Sequence, residues 1–217
     1  MVSTAREHIQ SKVKHLIKHT TAQMSSSEAL KQQIAWATSV PVKIVKSKES
    51  TVSQLKKMRQ QEEKEWGNRM IGQQGNGQWT TLLGENLVRD VLRLRGENAK
   101  RPEKRGGFQP DWETEDFIYE VKTSNWCVDG TAGEKVLGTW IKYQNVPELY
   151  GKPLRIVCVA RQEYDLEFGK VKYFGNEVTE KTRSLLEMAR TWEIEYVRFS
   201  DMARDVASQL QVRAPIE

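Results

Sequence analysis

Residues 109–125 read QPDWETEDFIYEVKTSN, and the organisation of the chain follows from them. From Phe117 to Lys122 the residues alternate, with Phe117, Tyr119 and Val121 on one side of an extended strand and Ile118, Glu120 and Lys122 on the other. An apolar face thus carries an acid and a base on its back. Upstream, Trp112-Glu113-Thr114-Glu115-Asp116 is polar and too short for anything but a turn, so an antiparallel hairpin should return Asp111 beside Glu120. Two carboxylates and one ammonium then converge. Together with the main-chain carbonyl of Val121, Asp111 and Glu120 offer the all-oxygen ligand set that Mg²⁺ prefers. Lys122 beside such an ion is placed to orient or deprotonate an attacking water and to offset charge on a phosphodiester.

Pro110-Asp111, followed nine positions later by Glu120-Val121-Lys122, resembles the motif of the PD-(D/E)xK nuclease superfamily. Within it the chain looks most like a type II restriction endonuclease. The resemblance implies that Asp111 and Glu120 hold Mg²⁺, that Lys122 serves the attacking water, and that both cut strands keep a 5′-phosphate. It also implies a further carboxylate from the helix before the hairpin, for which Glu85 in Gly84-Glu85-Asn86 is the candidate. A plain i,i+4 ion pair between Glu85 and Arg89 is the competing account of that residue. Glu-x-Lys alone is common on solvated strands. The complete Pro-Asp, the hairpin-length spacer, Gly106-Gly107 ahead of it and the apolar strand beneath the charges favour the catalytic reading.

The chain has 217 residues and a net charge of +5, unevenly spread. Residues 1–70 hold 13 Lys and Arg against 6 Asp and Glu, and residues 71–110 hold 7 against 4, whereas residues 111–130 hold 1 against 6. A basic first half suits a polyanion such as double-stranded DNA, and a local acidic knot suits a cation. All three histidines, His8, His15 and His19, lie in the first twenty residues, so a nuclease relying on a histidine beside the acidic cluster is excluded. The two cysteines, Cys127 and Cys158, are too few for a cysteine zinc site and read as small buried hydrophobes. There is no P-loop, dinucleotide fingerprint or nucleophile elbow, which removes a nucleotide cofactor and serine-hydrolase chemistry. With no apolar run long enough for a membrane span and no apolar leader, the expected location is the cytoplasm.

Periodicity predicts helices over 4–20, over a short stretch from Glu28 capped by Ser25-Ser26-Ser27, and over 50–70, where the thin apolar positions suit either a DNA or dimer contact or a plain solvated helix. Gln73, Gln74, Asn76 and Gln78 sit on a glycine-broken loop where amides can read adenine, or else on a simple connector. Trp79 to Arg95 is a helix with Leu83, Leu87, Val91 and Leu94 along one stripe, ended by Gly96. Lys100, Arg101, Lys104 and Arg105 form a basic loop suited to phosphates, and Asn125 lies on the exit loop beside the metal. A helix from Ala132 to Tyr143, with Val136, Leu137, Trp140 and Ile141 buried, is flanked by Lys135 and Lys142, two further DNA contacts. Leu154 to Ala160 has the length of a buried strand and is a parallel neighbour for 117–122. A hairpin is expected over 165–174, a helix capped by Asn176 through Arg190, a strand over 194–199, and a last helix capped by Ser200 with Met202, Val206 and Leu210 inside.

The fold expected is α/β and restriction-endonuclease-like, a mixed sheet with the hairpin at its centre and helices on both faces. An N-terminal helical region over 1–70 is added to a nuclease core over 71–217. The function expected is a Mg²⁺-dependent, sequence-specific double-strand endonuclease working as a homodimer on a short palindrome. The rivals are a structure-specific repair or recombination nuclease and a non-catalytic DNA-binding protein.

Overall fold

The structure, a computed structural model, describes residues 26–39, 51–71, 79–127 and 132–211. The expected N-terminal helix over 4–20 and the amide loop carrying Gln73, Gln74, Asn76 and Gln78 lie outside the described residues.

Four strands form one mixed sheet: β1 (Trp112–Glu113), β2 (Ile118–Ser124), β3 (Leu154–Ala160) and β4 (Ile194–Arg198), ordered as they occur in the chain. β1 runs antiparallel to β2, while β2, β3 and β4 are parallel. The parallel pairing of residues 118–124 with 154–160 is as expected, with Lys122 opposite Cys158. The hairpin, however, is not central. Its first strand has two residues and forms one edge of the sheet, which leaves the β2 backbone beyond Tyr119 open toward Asp111. Phe117 falls just outside β2 and is only partly buried.

β2 is covered on both faces, not on one. Tyr119 and Val121 pack with α3 (Trp79–Leu94) and with α9 (Phe199–Gln211), whose Phe199, Met202 and Val206 are buried. Ile118 on the opposite face joins Leu154, Ile156 and Cys158 beneath α4 (Ala132–Leu137), α5 (Thr139–Lys142) and α6 (Val146–Tyr150). α3 buries Leu83, Leu87 and Val91 as the stripe requires, with Leu94 partly buried, and the chain leaves it through Gly96 at φ 83°.

Both N-terminal helices described, α1 (Ser26–Thr38) and α2 (Val52–Ile71), add to this first cluster. Trp36, Trp66 and Trp79 meet with ring centroids 5.4–5.9 Å apart. Gly67 makes that approach feasible, because a Cβ there would lie 2.1 Å from the Trp79 ring. The thin apolar pattern of α2 is thus spent largely inside its own chain through Trp66 and Ile71, while Val52 and Met58 stay exposed.

Four local expectations fail for identifiable reasons. Residues 161–168 form α7 (Arg161–Phe168) rather than the first arm of a hairpin. Gln162 and Leu166, one turn apart, are both buried, and Arg161 pairs with Asp165 at 3.2 Å across the same turn. The chain still reverses near Gly169, but through the Leu166 carbonyl, which accepts from the N–H groups of Tyr173 and Phe174. The segment from Ala132 breaks at Gly138 into α4 and α5, and the break leaves Ile141 54% exposed while Val136 and Trp140 stay inside. The cap of α8 (Glu180–Thr191) is Thr179, whose hydroxyl accepts from Thr182, not Asn176. At the start of α9 the Ser200 N–H is satisfied by Glu163 of α7 at 2.9 Å, so a carboxylate from a neighbouring helix takes the capping role expected of the Ser200 side chain. Among the described residues, no helix is long and apolar enough to cross a membrane.

Candidate active site

The site begins where the short β1 ends. The Asp111 N–H donates to the Tyr119 carbonyl at 3.0 Å, extending the hairpin by one bond, and the Asp111 carboxylate reaches forward to accept from the Val121 N–H at 2.7 Å. Asp111 is therefore clipped to the residue between Glu120 and Lys122. The N–H and C=O of one strand residue point the same way. The Val121 carbonyl thus faces the open edge on which the Asp111 carboxylate lies.

On the face of β2 that carries Ile118, Glu120 is 5% exposed and accepts at one oxygen, Oε1, from both Lys122 Nζ at 2.5 Å and the Tyr143 hydroxyl at 2.7 Å. Among the described residues, none donates to its Oε2. Lys122 lies 5.8 Å from the Tyr143 ring centre, and Phe108 packs on that ring from another side. Burial, and then the charge of Glu120, push the Tyr143 phenol well above its ordinary range, so it remains a donor. Tyr143 follows α5 directly, and the break at Gly138 helps set where it points.

Asp111 feels too much negative charge. Burial first, then Glu120 and then Glu85 raise its carboxyl to about 7, against the opposing pull of the Val121 N–H and Lys122. A cation there would oppose the two neighbouring carboxylates.

Glu85 comes to the site along α3, whose docking on the β1–β2 hairpin is fixed at two points. Gly84 presses on Thr123, where a Cβ would fall 1.7 Å from the hydroxyl oxygen, and the Trp112 indole N–H donates to the Glu85 carbonyl at 2.8 Å. The competing i,i+4 ion pair of Glu85 with Arg89 is not formed. Arg89 turns to Asn86 and Asp90, at 3.0 and 2.7 Å, and Glu85 pairs with Arg101 at 3.0 Å. The same guanidinium lies 3.6 Å from Asp111 Oδ1. Among the described residues, no three His, Cys, Asp or Glu side chains are gathered closely enough to hold an ion. Asp111, Glu120 Oε2 and the Val121 carbonyl together offer hard oxygen donors, a fit in chemistry for Mg²⁺.

The other sequence-derived contacts divide. Lys100 pairs through its main chain with Glu113 and lies 3.8 Å from that carboxylate. Arg105 flanks a tight turn through Gly106 and Gly107, both at positive φ, donates to the Leu149 carbonyl at 3.2 Å and stacks over Tyr150. Lys104 and Lys135 are exposed, and Lys142 sits 4.9 Å from the Tyr143 ring centre. Asn125 is bonded to the Thr80 hydroxyl, which turns it toward α3.

Two residues escaped sequence reasoning. Tyr143 carries no local signal at all. Glu63 on α2 is buried and accepts from the main-chain N–H groups of Trp126 and Cys127, at 2.8 and 2.9 Å, and from the Trp36 indole at 3.3 Å. It pins the exit loop that follows Lys122. Cys127 there is only partly buried, unlike Cys158. Compared with protein-family models, curated proteins and solved structures, the chain matches none.

Proposed function

We propose that the chain is a Mg²⁺-dependent endonuclease that hydrolyses phosphodiesters of double-stranded DNA, and more narrowly a type II restriction enzyme acting as a homodimer. One observation carries the reading: Asp111 is bonded to the backbone between Glu120 and Lys122, so two carboxylates, a carbonyl and an ammonium share one open sheet edge. The narrower reading rests on the Pro-Asp/Glu-x-Lys pattern and on the absence of nucleotide motifs.

Asp111, Glu120 and the Val121 carbonyl would hold the ion. When bound it supplies Lewis-acid polarisation and neutralises charge at the phosphate. Lys122, anchored on Glu120 Oε1, donates to a water placed for in-line attack and offsets the negative charge that builds on the phosphoryl oxygens. Its ion pair with Glu120 favours these donor roles over proton abstraction. Tyr143, sharing Oε1, turns Glu120 Oε2 away from Lys122 and leaves it for the cation.

The test is incubation with supercoiled plasmid, with and without Mg²⁺, alongside D111N, E120Q and K122A. Mg²⁺-dependent discrete fragments are expected. Each variant should lose nearly all cleavage while keeping DNA binding in Ca²⁺, because the three act as a unit. A smear, or cutting confined to branched substrates, would replace the narrower reading with a structure-specific nuclease. DNA binding without cleavage under any metal would leave a non-catalytic DNA-binding protein.

A further inference from the structure

Arg101 lies in the segment between α3 and β1, where Lys100 pairs with Glu113 of β1 in both directions, at 2.8 and 3.0 Å. That pairing fixes the backbone beside Asp111. The Arg101 guanidinium reaches Glu85 Oε2 at 3.0 Å, Asp111 Oδ1 at 3.6 Å and the Asp111 carbonyl at 3.4 Å, and its carbon lies 5.8 Å from the Trp112 ring centre. Its side chain is 48% exposed, whereas the carboxylates it joins are 16% and 13% exposed. The cation therefore covers two buried acids from the solvent side.

Two details separate this from an ordinary stabilising pair. First, Arg101 lies over Asp111 Oδ1, which has no hydrogen bond among the described residues, whereas Oδ2 accepts from the Val121 N–H, so Oδ1 is the freer of the two oxygens for an incoming cation. Second, the contact to Asp111 is long. A tight bidentate fork would lie at about 2.7–2.9 Å, and an exposed pair of this kind contributes little to stability. The acids gain a counter-charge that is easy to remove.

We propose that Arg101 is a displaceable counter-ion of the reaction centre, neutralising Asp111 and Glu85 until a divalent cation takes Asp111 Oδ1 and a DNA phosphate takes the guanidinium. This rests on the metal site of the preceding section. Phosphate and cation then assist each other: a phosphate that draws Arg101 outward uncovers Oδ1, and a cation on Oδ1 frees Arg101 for the phosphate. Thermodynamic linkage requires the two effects to be equal. Arg101 thereby differs from Lys104, which is exposed and has no such contact with the acids.

The experiment is calorimetric titration of Ca²⁺ into wild type, R101Q, R101K and D111N, each free and with a short mixed-sequence DNA duplex. With no DNA, R101Q should bind Ca²⁺ more tightly than wild type, on the order of tenfold. The duplex should tighten Ca²⁺ binding in wild type, less so in R101K, and hardly at all in R101Q. Unchanged or weaker Ca²⁺ binding by R101Q, or a DNA-induced gain that R101Q keeps, would overturn the inference and leave Arg101 a structural pair. D111N separates the two levels of the reading. If wild type binds no Ca²⁺, or D111N binds it equally well, the metal site itself falls and this inference with it.

Discussion

Glu63→Ala tests how the N-terminal helices are tied to the site. Glu63 is 8% exposed, and its two oxygens serve three donors: the Trp126 N–H at 2.8 Å, the Cys127 N–H at 2.9 Å and the Trp36 indole at 3.3 Å. A hydrogen bond to a charged acceptor contributes about 1.5–3 kcal/mol, and a buried donor stripped of its acceptor costs about 1–3 kcal/mol. The two main-chain bonds are short and the indole bond is long. Trp126 and Cys127 are only partly buried, so water can compensate in part. The loss for E63A should be about 3–4 kcal/mol, and for E63Q roughly half, since one amide oxygen remains while the NH₂ faces a donor. Urea unfolding measures it as a lower midpoint at an unchanged slope. Native-state hydrogen exchange should show the Trp126 and Cys127 amides losing protection first. A loss under about 1 kcal/mol, or unaltered protection at those two amides, would refute the assignment of Glu63 as the acceptor that holds the exit loop.

Tyr143→Phe removes one of the two donors on Glu120 Oε1, so Ca²⁺ affinity should fall several-fold while the melting temperature moves little. Equal Ca²⁺ binding would reduce Tyr143 to packing. Asp111 makes the protein less stable as pH rises from acid to neutral. Its folded carboxyl titrates at about 7 against 3.8 unfolded, so between those values the folded chain holds a proton that the unfolded chain has lost, and stability falls as pH rises through that window. Melting curves from pH 4 to pH 8 should show that decline in wild type and a flatter profile in D111N, with D111N the more stable at pH 8. Parallel profiles would mean that the Asp111 carboxyl is not raised.

Much of the sheet was legible because strands state their own periodicity. The alternation from Ile118 and the apolar run Leu154–Ala160 needed only a crossover of sufficient length to become parallel neighbours, and they are. What alternation does not supply is the depth of cover on each face. Ile118 shares a face with Glu120 and Lys122 and is fully buried, because α4, α5 and α6 roof that side as well. The failures are of the same origin. Gly138 interrupts a pattern that is helical on both sides of it, and the 161–168 helix is set by burial of Gln162 and Leu166 against neighbours distant in sequence. Asp111, Glu120 and Lys122 could be foreseen because a hairpin of fixed length brings them together. Tyr143 and Glu63 could not, since their partners lie 23 and 63 residues away on other elements.

The charge pattern teaches a different lesson, because a count along the chain does not say which cations are free. Of the four basic residues in 100–105, Lys100 faces Glu113, Arg101 covers Asp111 and Glu85, and Arg105 is turned onto Leu149 and Tyr150. Only Lys104 in that segment is without a partner among the described residues. The basic loop and the acidic motif are therefore largely one neutralised unit, and the field offered to a polyanion from this side is weaker than the sequence implies. Exposed pairs of this sort are held by little energy. Positive charge would then appear at the edge only as the acids find another cation. Under the proposed function, an arginine that can leave the carboxylates beside the Val121 carbonyl would join cation binding to DNA binding without any rearrangement of the sheet.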